Sequence, residues 1–138
     1  MPDEPKLLYR EVMRLRWGEM DAMRHLNNVS YFRYFEEGRI AWFRSTGIAA
    51  HDSVEGAVLG TISCRFIRSA VYPADVVVEL RAGRVGNASF TLFHAMRDAA
   101  DPALIYADGE AVMVWIDSAT GRSRPLPGGI RAALGGAA

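Results

Sequence analysis

At 138 residues, half of them apolar, the chain can build one domain with a real core and is too apolar for intrinsic disorder. Its 16 basic and 16 acidic side chains cancel, which excludes the basic excess of a typical nucleic-acid binder. The single cysteine, Cys64, allows no internal disulfide, no charged-then-apolar leader opens the chain, and no apolar run approaches the roughly 18 residues of a membrane span, so a soluble cytoplasmic protein is expected.

In chain order, residues 1–6 form a polar lead-in. From Leu7 to Trp17 the pattern alternates, with Tyr9, Met13, Leu15 and Trp17 on one face and Arg10, Arg14 and Arg16 on the other, as in a half-buried strand. A polar loop runs from Asp21, and a helix is predicted from Asn28 to Ser45. Tyr31, Phe35, Gly38 and Trp42 share one narrow helical sector, with Arg33, Glu37 and Arg44 opposite. Gly38 on the apolar stripe points to a sheet passing close to the backbone, and Gly47 stops the helix. Ile40 falls on the polar side and suggests that this face is not wholly solvated. Glu36 and Arg39 are spaced to pair along the helix.

Residues 51–56 read as a loop, followed by strands at Val58–Ile67, Val76–Val85, Ser89–Arg97 and Leu104–Asp117. Tyr72-Pro73-Ala74-Asp75, Gly86-Asn87 and Asp98 to Pro102 supply the turns, Gly86-Asn87 being short enough for a tight hairpin. Asp108-Gly109 marks a bulge or a close approach within the last strand. After Pro125-Leu126-Pro127 a short helix is predicted around Ile130–Leu134. A helix with one apolar stripe needs a sheet to cover it, which gives an α+β fold: a curved antiparallel sheet of five strands wrapped round one long helix.

The chemistry concentrates between Asp21 and Asn28, where a carboxylate, an imidazole (His25) and two carboxamides (Asn27, Asn28) precede the helix. Asn28 sits where unpaired backbone N–H groups can receive a carbonyl oxygen that is gaining charge. An acid or base beside such donors is the minimum equipment for acyl transfer.

These residues carry a resemblance. Asp21, His25-Leu26-Asn27-Asn28, Tyr31, Tyr34-Phe35-Glu36 and Arg39 resemble the signature of the hotdog-fold thioesterases, in the branch of small acyl-CoA thioesterases like 4-hydroxybenzoyl-CoA thioesterase. The segment from Arg65-Phe66-Ile67-Arg68 to Tyr72-Pro73-Ala74-Asp75 and the ending Arg124 to Pro127, Ile130-Arg131 extend the likeness over essentially the whole chain. The resemblance implies an acyl-CoA thioester hydrolase, paired through its sheets as a homodimer or a dimer of dimers, with active sites at the subunit boundary. It implies Asp21 as the catalytic carboxylate, the thioester carbonyl received by N–H groups near Asn28 and Val29, and basic side chains near the CoA phosphates. No cofactor beyond the CoA thioester substrate is implied.

Residue by residue, alternatives stay open. Asp21 serves either as nucleophile, through a mixed anhydride, or as base for the attacking water. His25 braces the loop or transfers protons. Asn27 and Asn28 suit caps and turns as well as a site. Tyr31 is core or lines the acyl pocket. Arg65, Arg68 and Arg84 flank strands where phosphates could lie, although arginine is abundant throughout and Lys6 is the only lysine. Cys64 lacks a paired base, His51 and His94 lack metal-ligand spacing, and neither a Gly-x-Ser-x-Gly elbow nor a phosphate-binding glycine loop is present. Two other functions compete: a non-catalytic acyl-CoA or acyl-carrier-protein binder, and a hydratase or dehydratase of the same fold. The latter is disfavoured because Asp21 and His25 stand four apart with no proline between them.

Overall fold

The computed structural model describes residues 4–135, so residues 1–3 of the lead-in lie outside it. In chain order it contains β1 (Leu7–Arg14), a single 3-10 turn (Trp17–Glu19), α1 (Asn28–Thr46), β2 (Glu55–Phe66), β3 (Asp75–Val85), β4 (Ser89–Asp98), β5 (Ile105–Asp117) and α2 (Gly128–Ala133). The strands form one five-stranded sheet in the order β1-β3-β4-β5-β2, and every pairing is antiparallel. The α+β arrangement expected from the apolar pattern is present.

Alternation in the central strands sets which face α1 covers. Val76, Val78 and Leu80 of β3, Leu92, His94 and Met96 of β4, and Ala107, Ala111, Met113 and Trp115 of β5 are buried. The predicted helical stripe meets them: Tyr31, Phe35, Gly38 and Trp42 are all buried, while Arg33, Glu37 and Arg44 are exposed. Gly38 lets the helix sit down on β3, because a Cβ there would stand only 3.0 Å from Val78 Cγ1. Gly109 is a close approach and not a bulge. The β4–β5 and β2–β5 ladders run through it in register, and a Cβ there would run into the Ser63 carbonyl and crowd the His94 ring.

Two expectations are corrected. Trp17 is not on the buried face of β1; it is 75% exposed, because the ladder to β3 ends at Arg14–Asp75 and the chain then turns. Glu36 and Arg39 do not pair: Arg39 is drawn inward and is 5% exposed, its Nη1 has no acceptor among the described residues, and Glu36 points to solvent.

The sheet has two edges, β1 and β2. The twelve-residue β2 is exposed along much of its length. Among the described residues, no helix is long and apolar enough to cross a membrane.

Candidate active site

The loop before α1 is folded by its own backbone and by one carboxylate. The Asp21 N–H donates to His25 O at 2.8 Å, and the Arg24 N–H donates to Asp21 O at 2.9 Å. Closing so tight a turn forces Arg24 to φ 63°, the left-handed region that non-glycine residues seldom enter. Asp21 Oδ1 accepts from the Met23 N–H at 2.9 Å and the His25 N–H at 3.2 Å. Its Oδ2 has no partner among the described residues, so one carboxylate oxygen holds the loop and the other is available. Asp21 itself is exposed, whereas His25 is half-buried.

The loop is fastened at both ends. Leu26 N–H donates to Ala70 O at 2.8 Å and Asn27 N–H to Glu19 O at 3.0 Å. The Tyr34 hydroxyl donates to Glu19 Oε1, tying the 3-10 turn to α1. One turn earlier, the Tyr31 hydroxyl accepts from the Ala70 N–H at 3.1 Å. Burial raises the pKa of both phenols, the Glu19 carboxylate adding to the effect at Tyr34, so both stay protonated.

The helix starts at Asn28 as expected, and of the two asparagines suited to cap it only one does so. Asn27, not Asn28, is the N-cap: its side-chain oxygen accepts from the Val29 N–H at 3.0 Å, and its carbonyl accepts from the Ser30 N–H at 2.9 Å. The Val29 N–H is therefore committed, and the Val29 side chain is 68% exposed. The Asn28 N–H has no acceptor among the described residues, which leaves it as the donor at the positive end of the helix dipole.

Asp21, His25, Asn28, Tyr31 and Arg68 line one cleft of about 150 Å³, with Phe66 as its apolar wall. Phe66 meets Tyr31 edge-on at 5.1 Å. On the other side of Asp21 lies a wider groove of about 730 Å³, lined by Trp17, Met20, Arg24, Val71 and Tyr72. The carboxylate thus stands between a small polar cleft and a larger aromatic groove.

The three arginines expected near phosphates separate. Arg68 lines the cleft. Arg65 lies on the opposite face of the sheet, since its neighbour Phe66 faces α1, and it forms a bidentate pair with Asp108 at 2.9 and 3.0 Å. Arg84 lies nine residues beyond Asp75 along β3, roughly 30 Å from the loop end of the sheet, so within one protomer it is not at the cleft. An outer groove of about 610 Å³ next to Arg65 also carries Glu79, Arg81, Phe93 and Arg97. It is larger than the cleft, but neither Asp21 nor the helix start reaches it.

The remaining nucleophiles and bases stand apart. Burial pushes the Cys64 thiol up to about 11, so it is not a thiolate near neutrality. His94 lies beneath α1, its ring stacked on Phe35 at 4.0 Å and its Nε2 2.9 Å from Ser63 O. His51 is exposed beside Ser118. No group of His, Cys, Asp and Glu among the described residues is arranged to hold a metal ion. The sequence signals neither the clamp between Glu19 and Tyr34 nor the strained Arg24, since both depend on how the loop folds back on the sheet.

The family model for the thioesterase-like superfamily matches residues 15–134. Among solved structures, the chain is similar to the PA2801 protein of Pseudomonas aeruginosa, a candidate thioesterase, at 42% identity and a TM-score of 0.89, covering 94% of this chain and 99% of that one. A candidate acyl-CoA thioesterase from Xanthomonas campestris is 34% identical at a TM-score of 0.78, covering 88% and 100%. Slr0204, a 1,4-dihydroxy-2-naphthoyl-CoA thioesterase from Synechocystis, shares the fold at a TM-score of 0.84 with 15% identity, covering 91% and 94%. The uncharacterized protein YsmA of Bacillus subtilis is 27% identical over 109 residues, which are 79% of this chain and 73% of YsmA.

Proposed function

The chain belongs to the thioesterase-like superfamily, and we propose that it hydrolyses acyl-CoA thioesters with Asp21 as the catalytic carboxylate and the Asn28 N–H as donor to the thioester carbonyl. One observation carries the assignment. The free oxygen of Asp21 and the uncommitted N–H of the helix start belong to residues that line the same cleft.

In this reading the carbonyl oxygen lies at the Asn28 N–H, where negative charge developing on it is stabilised by the donor and the helix dipole. Asp21 Oδ2 takes a proton from water as the water oxygen bonds to the carbonyl carbon. Collapse of the tetrahedral intermediate breaks the C–S bond, and the proton held by Asp21 passes to the departing sulfur. The products are a carboxylic acid and free CoA, and the route draws on no cofactor. Oδ1 stays bound to the two loop N–H groups throughout, so the base does not swing away. His25 closes the loop through its backbone and is, like Asp21, one of the residues that line the cleft.

The cleft of about 150 Å³ is well below the ~300–1,000 Å³ typical of ligand pockets. This supports a site finished by a second copy, as a homodimer or dimer of dimers. Phe66 and Tyr31 then form one wall for the acyl group. Arg68 in the cleft and Arg24 in the wider groove are the arginines that line the two hollows beside Asp21 and could meet the CoA phosphates, whereas Arg65 and Arg84 would have to act from the neighbouring copy. A cytoplasmic setting suits both the substrate and the unpaired Cys64.

Release of free thiol from a panel of aliphatic and aromatic acyl-CoAs tests the proposal. Asp21→Asn should lower turnover by about 10²–10⁴ while the fold, followed by circular dichroism, is kept. Full turnover in the folded variant would remove Asp21 from the mechanism. A flat response of the native protein across the panel would favour the non-catalytic acyl-CoA binder.

A further inference from the structure

Two grooves beside the site loop meet at a pair of exposed aromatic side chains. The groove of about 730 Å³ that holds Asp21 and Arg24 is bordered by Trp17 and Tyr72. A second groove, of about 550 Å³, is bordered by the same two residues and continues between β1 and α1 to Arg16, Arg33 and Glu37. Together they make one channel that starts at Asp21 and leaves along the β1 side of the helix. β1 and β2 are opposite edges of the sheet, so this exit lies away from the β2 edge.

Trp17 is 75% exposed and Tyr72 41%. A tryptophan is seldom left so open to water. The backbone beneath it is nonetheless held firmly. The Glu19 N–H donates to Arg16 O and the Met20 N–H to Trp17 O, both at 3.1 Å, while Glu19 Oε1 accepts from the Arg16 N–H and from the Tyr34 hydroxyl. The turn therefore presents an indole on a fixed support without burying it. Arg16, Arg24 and Arg33 are also exposed, and none forms an ion pair among the described residues. Of the acids along the channel, Asp21 stands at the inner end, Glu19 is committed to the turn, and Glu37 faces the outer groove without an ion pair among the described residues. Flat rings between unpaired guanidinium groups suit a molecule that carries a planar base and phosphates.

We propose that this channel binds the nucleotide of the CoA thioester: the adenine stacks on Trp17 and Tyr72, the pyrophosphate meets Arg24, and the ribose phosphate meets Arg16 and Arg33. The proposal rests on the acyl-CoA reading and deepens it. Outward from the thioester, CoA carries an uncharged pantetheine arm, a pyrophosphate, and then an adenosine phosphorylated on its ribose. The channel offers its groups in a matching order: Arg24 in the groove of Asp21, the two rings at the junction, and Arg16 and Arg33 beyond them. Arginine engages two phosphate oxygens at once through its planar fork. Glu37 is an acceptor for the exocyclic amine of adenine. Pantetheine held on a carrier protein lacks the adenosine, so the channel selects CoA thioesters over carrier-protein thioesters.

Calorimetric binding of free CoA, dephospho-CoA and pantetheine to the full chain tests this without any acyl group. CoA should quench the emission of Trp17, the exposed indole among three, since Trp42 and Trp115 are only 2% and 1% exposed. Trp17→Ala should weaken CoA binding by about 5- to 150-fold, the span of one base–aromatic contact, and Trp17→Phe, which keeps a flat ring, by much less. Arg16→Gln combined with Arg33→Gln should weaken CoA about tenfold or more, and should leave dephospho-CoA, which lacks the ribose phosphate, nearly unchanged. Arg44→Gln, at the far end of α1, removes a charge outside the channel and should change neither. All four positions are exposed, so a native urea midpoint in each variant separates loss of binding from loss of fold. CoA bound equally by the native protein, Trp17→Ala and the double variant overturns the proposal. An equal loss in Arg44→Gln does so too, as does a native protein that binds pantetheine as tightly as CoA. If the channel variants bind CoA like the native protein while Asp21→Asn stops turnover, the nucleotide site alone falls. CoA binding that depends on Trp17 in a protein that hydrolyses no thioester leaves the nucleotide site standing and removes the hydrolysis.

Discussion

The C-terminal half of α1 packs Trp42 and Phe43 against Phe90 at 6.0 and 6.4 Å, with Leu80, Leu92, Trp115 and Ile130 around them, and ends cleanly at Gly47 in the left-handed region (φ 75°). This part of the core is held by apolar and aromatic packing, with the Trp115 indole N–H bound to Glu55 at its margin. The N-terminal end of the same helix is built from a strained loop, a side-chain cap, a phenol bound to a backbone N–H and a carboxylate with one oxygen uncommitted. One end of the helix contributes stability, and the other presents groups whose bonding is deliberately incomplete. Substitutions should therefore separate folding from turnover according to which end they touch.

The largest effect is expected in the apolar end. Phe90 is 1% exposed, and Phe90→Ala removes a ring that meets two others, which should cost roughly 3–5 kcal/mol in denaturant unfolding. Turnover per folded molecule should stay within about twofold of native at low temperature. A parallel collapse of turnover in the folded variant would mean that the two ends are coupled through α1.

His94 lies between the two regions and tests the comparison by pH. Burial pushes its pKa down to about 4 from the ordinary 6.5, with the nearby Arg39 charge acting in the same direction, so the unfolded chain takes up the proton first. The stability this ring contributes is complete above pH 6.5, is lost as the pH falls, and levels off below about 4. The whole change is roughly 3 kcal/mol or less. His94→Gln keeps an N–H for the Ser63 carbonyl but cannot titrate. The difference in urea midpoint between variant and native protein should therefore shift in favour of the variant as the pH is lowered through this window. A difference independent of pH would show that the ring is not held neutral by burial.

The strands and both helices were legible because alternation and helical spacing are local properties. The helix expected at Asn28–Ser45 is observed at Asn28–Thr46, and the last strand, expected at Leu104–Asp117, at Ile105–Asp117. What sequence could not show is which way equivalent side chains turn. Arg65 and Arg68 look alike in the chain, yet they separate because Phe66 packs on Tyr31 and forces Arg65 to the outer face. Trp17 fits the alternation of β1 but lies past the end of the ladder, a fact set by where β3 begins. Arg39 stands four residues after Phe35 and three before Trp42, so it flanks the buried stripe, and its charge comes near His94 of β4, a strand drawn from a distant part of the chain. The polar composition of the site loop was visible in full. The commitment of the Val29 N–H to Asn27 was not, since either asparagine could have served as cap.

A smaller effect is expected where α1 meets the Ala70 backbone. Tyr31→Phe removes the acceptor of a buried N–H without changing the ring that meets Phe66, and should cost about 1–2 kcal/mol of stability. Because Ala70 also receives the Leu26 N–H at the end of the site loop, turnover should fall modestly, by less than tenfold on the rough scale of one such bond. Stability lost with turnover untouched would place Tyr31 with the apolar end of the helix and outside the site.

The mildest substitution probes the helix start most directly. Asn27→Ala removes the cap and should cost about 1 kcal/mol. It also releases the Val29 N–H, so α1 would present two uncommitted donors in place of one. If the Asn28 N–H alone receives the carbonyl, the released donor adds little, and turnover should follow the small loss of helix order, with KM nearly unchanged. If turnover rises while stability falls, the carbonyl lies within reach of both N–H groups, and the native cap has been competing with substrate for one of them. Either result locates the carbonyl along the first turn of α1. A fall as deep as that of Asp21→Asn would instead show that the Asn27 side chain orients the loop carboxylate, and would move the polar centre of the site one residue toward Asp21.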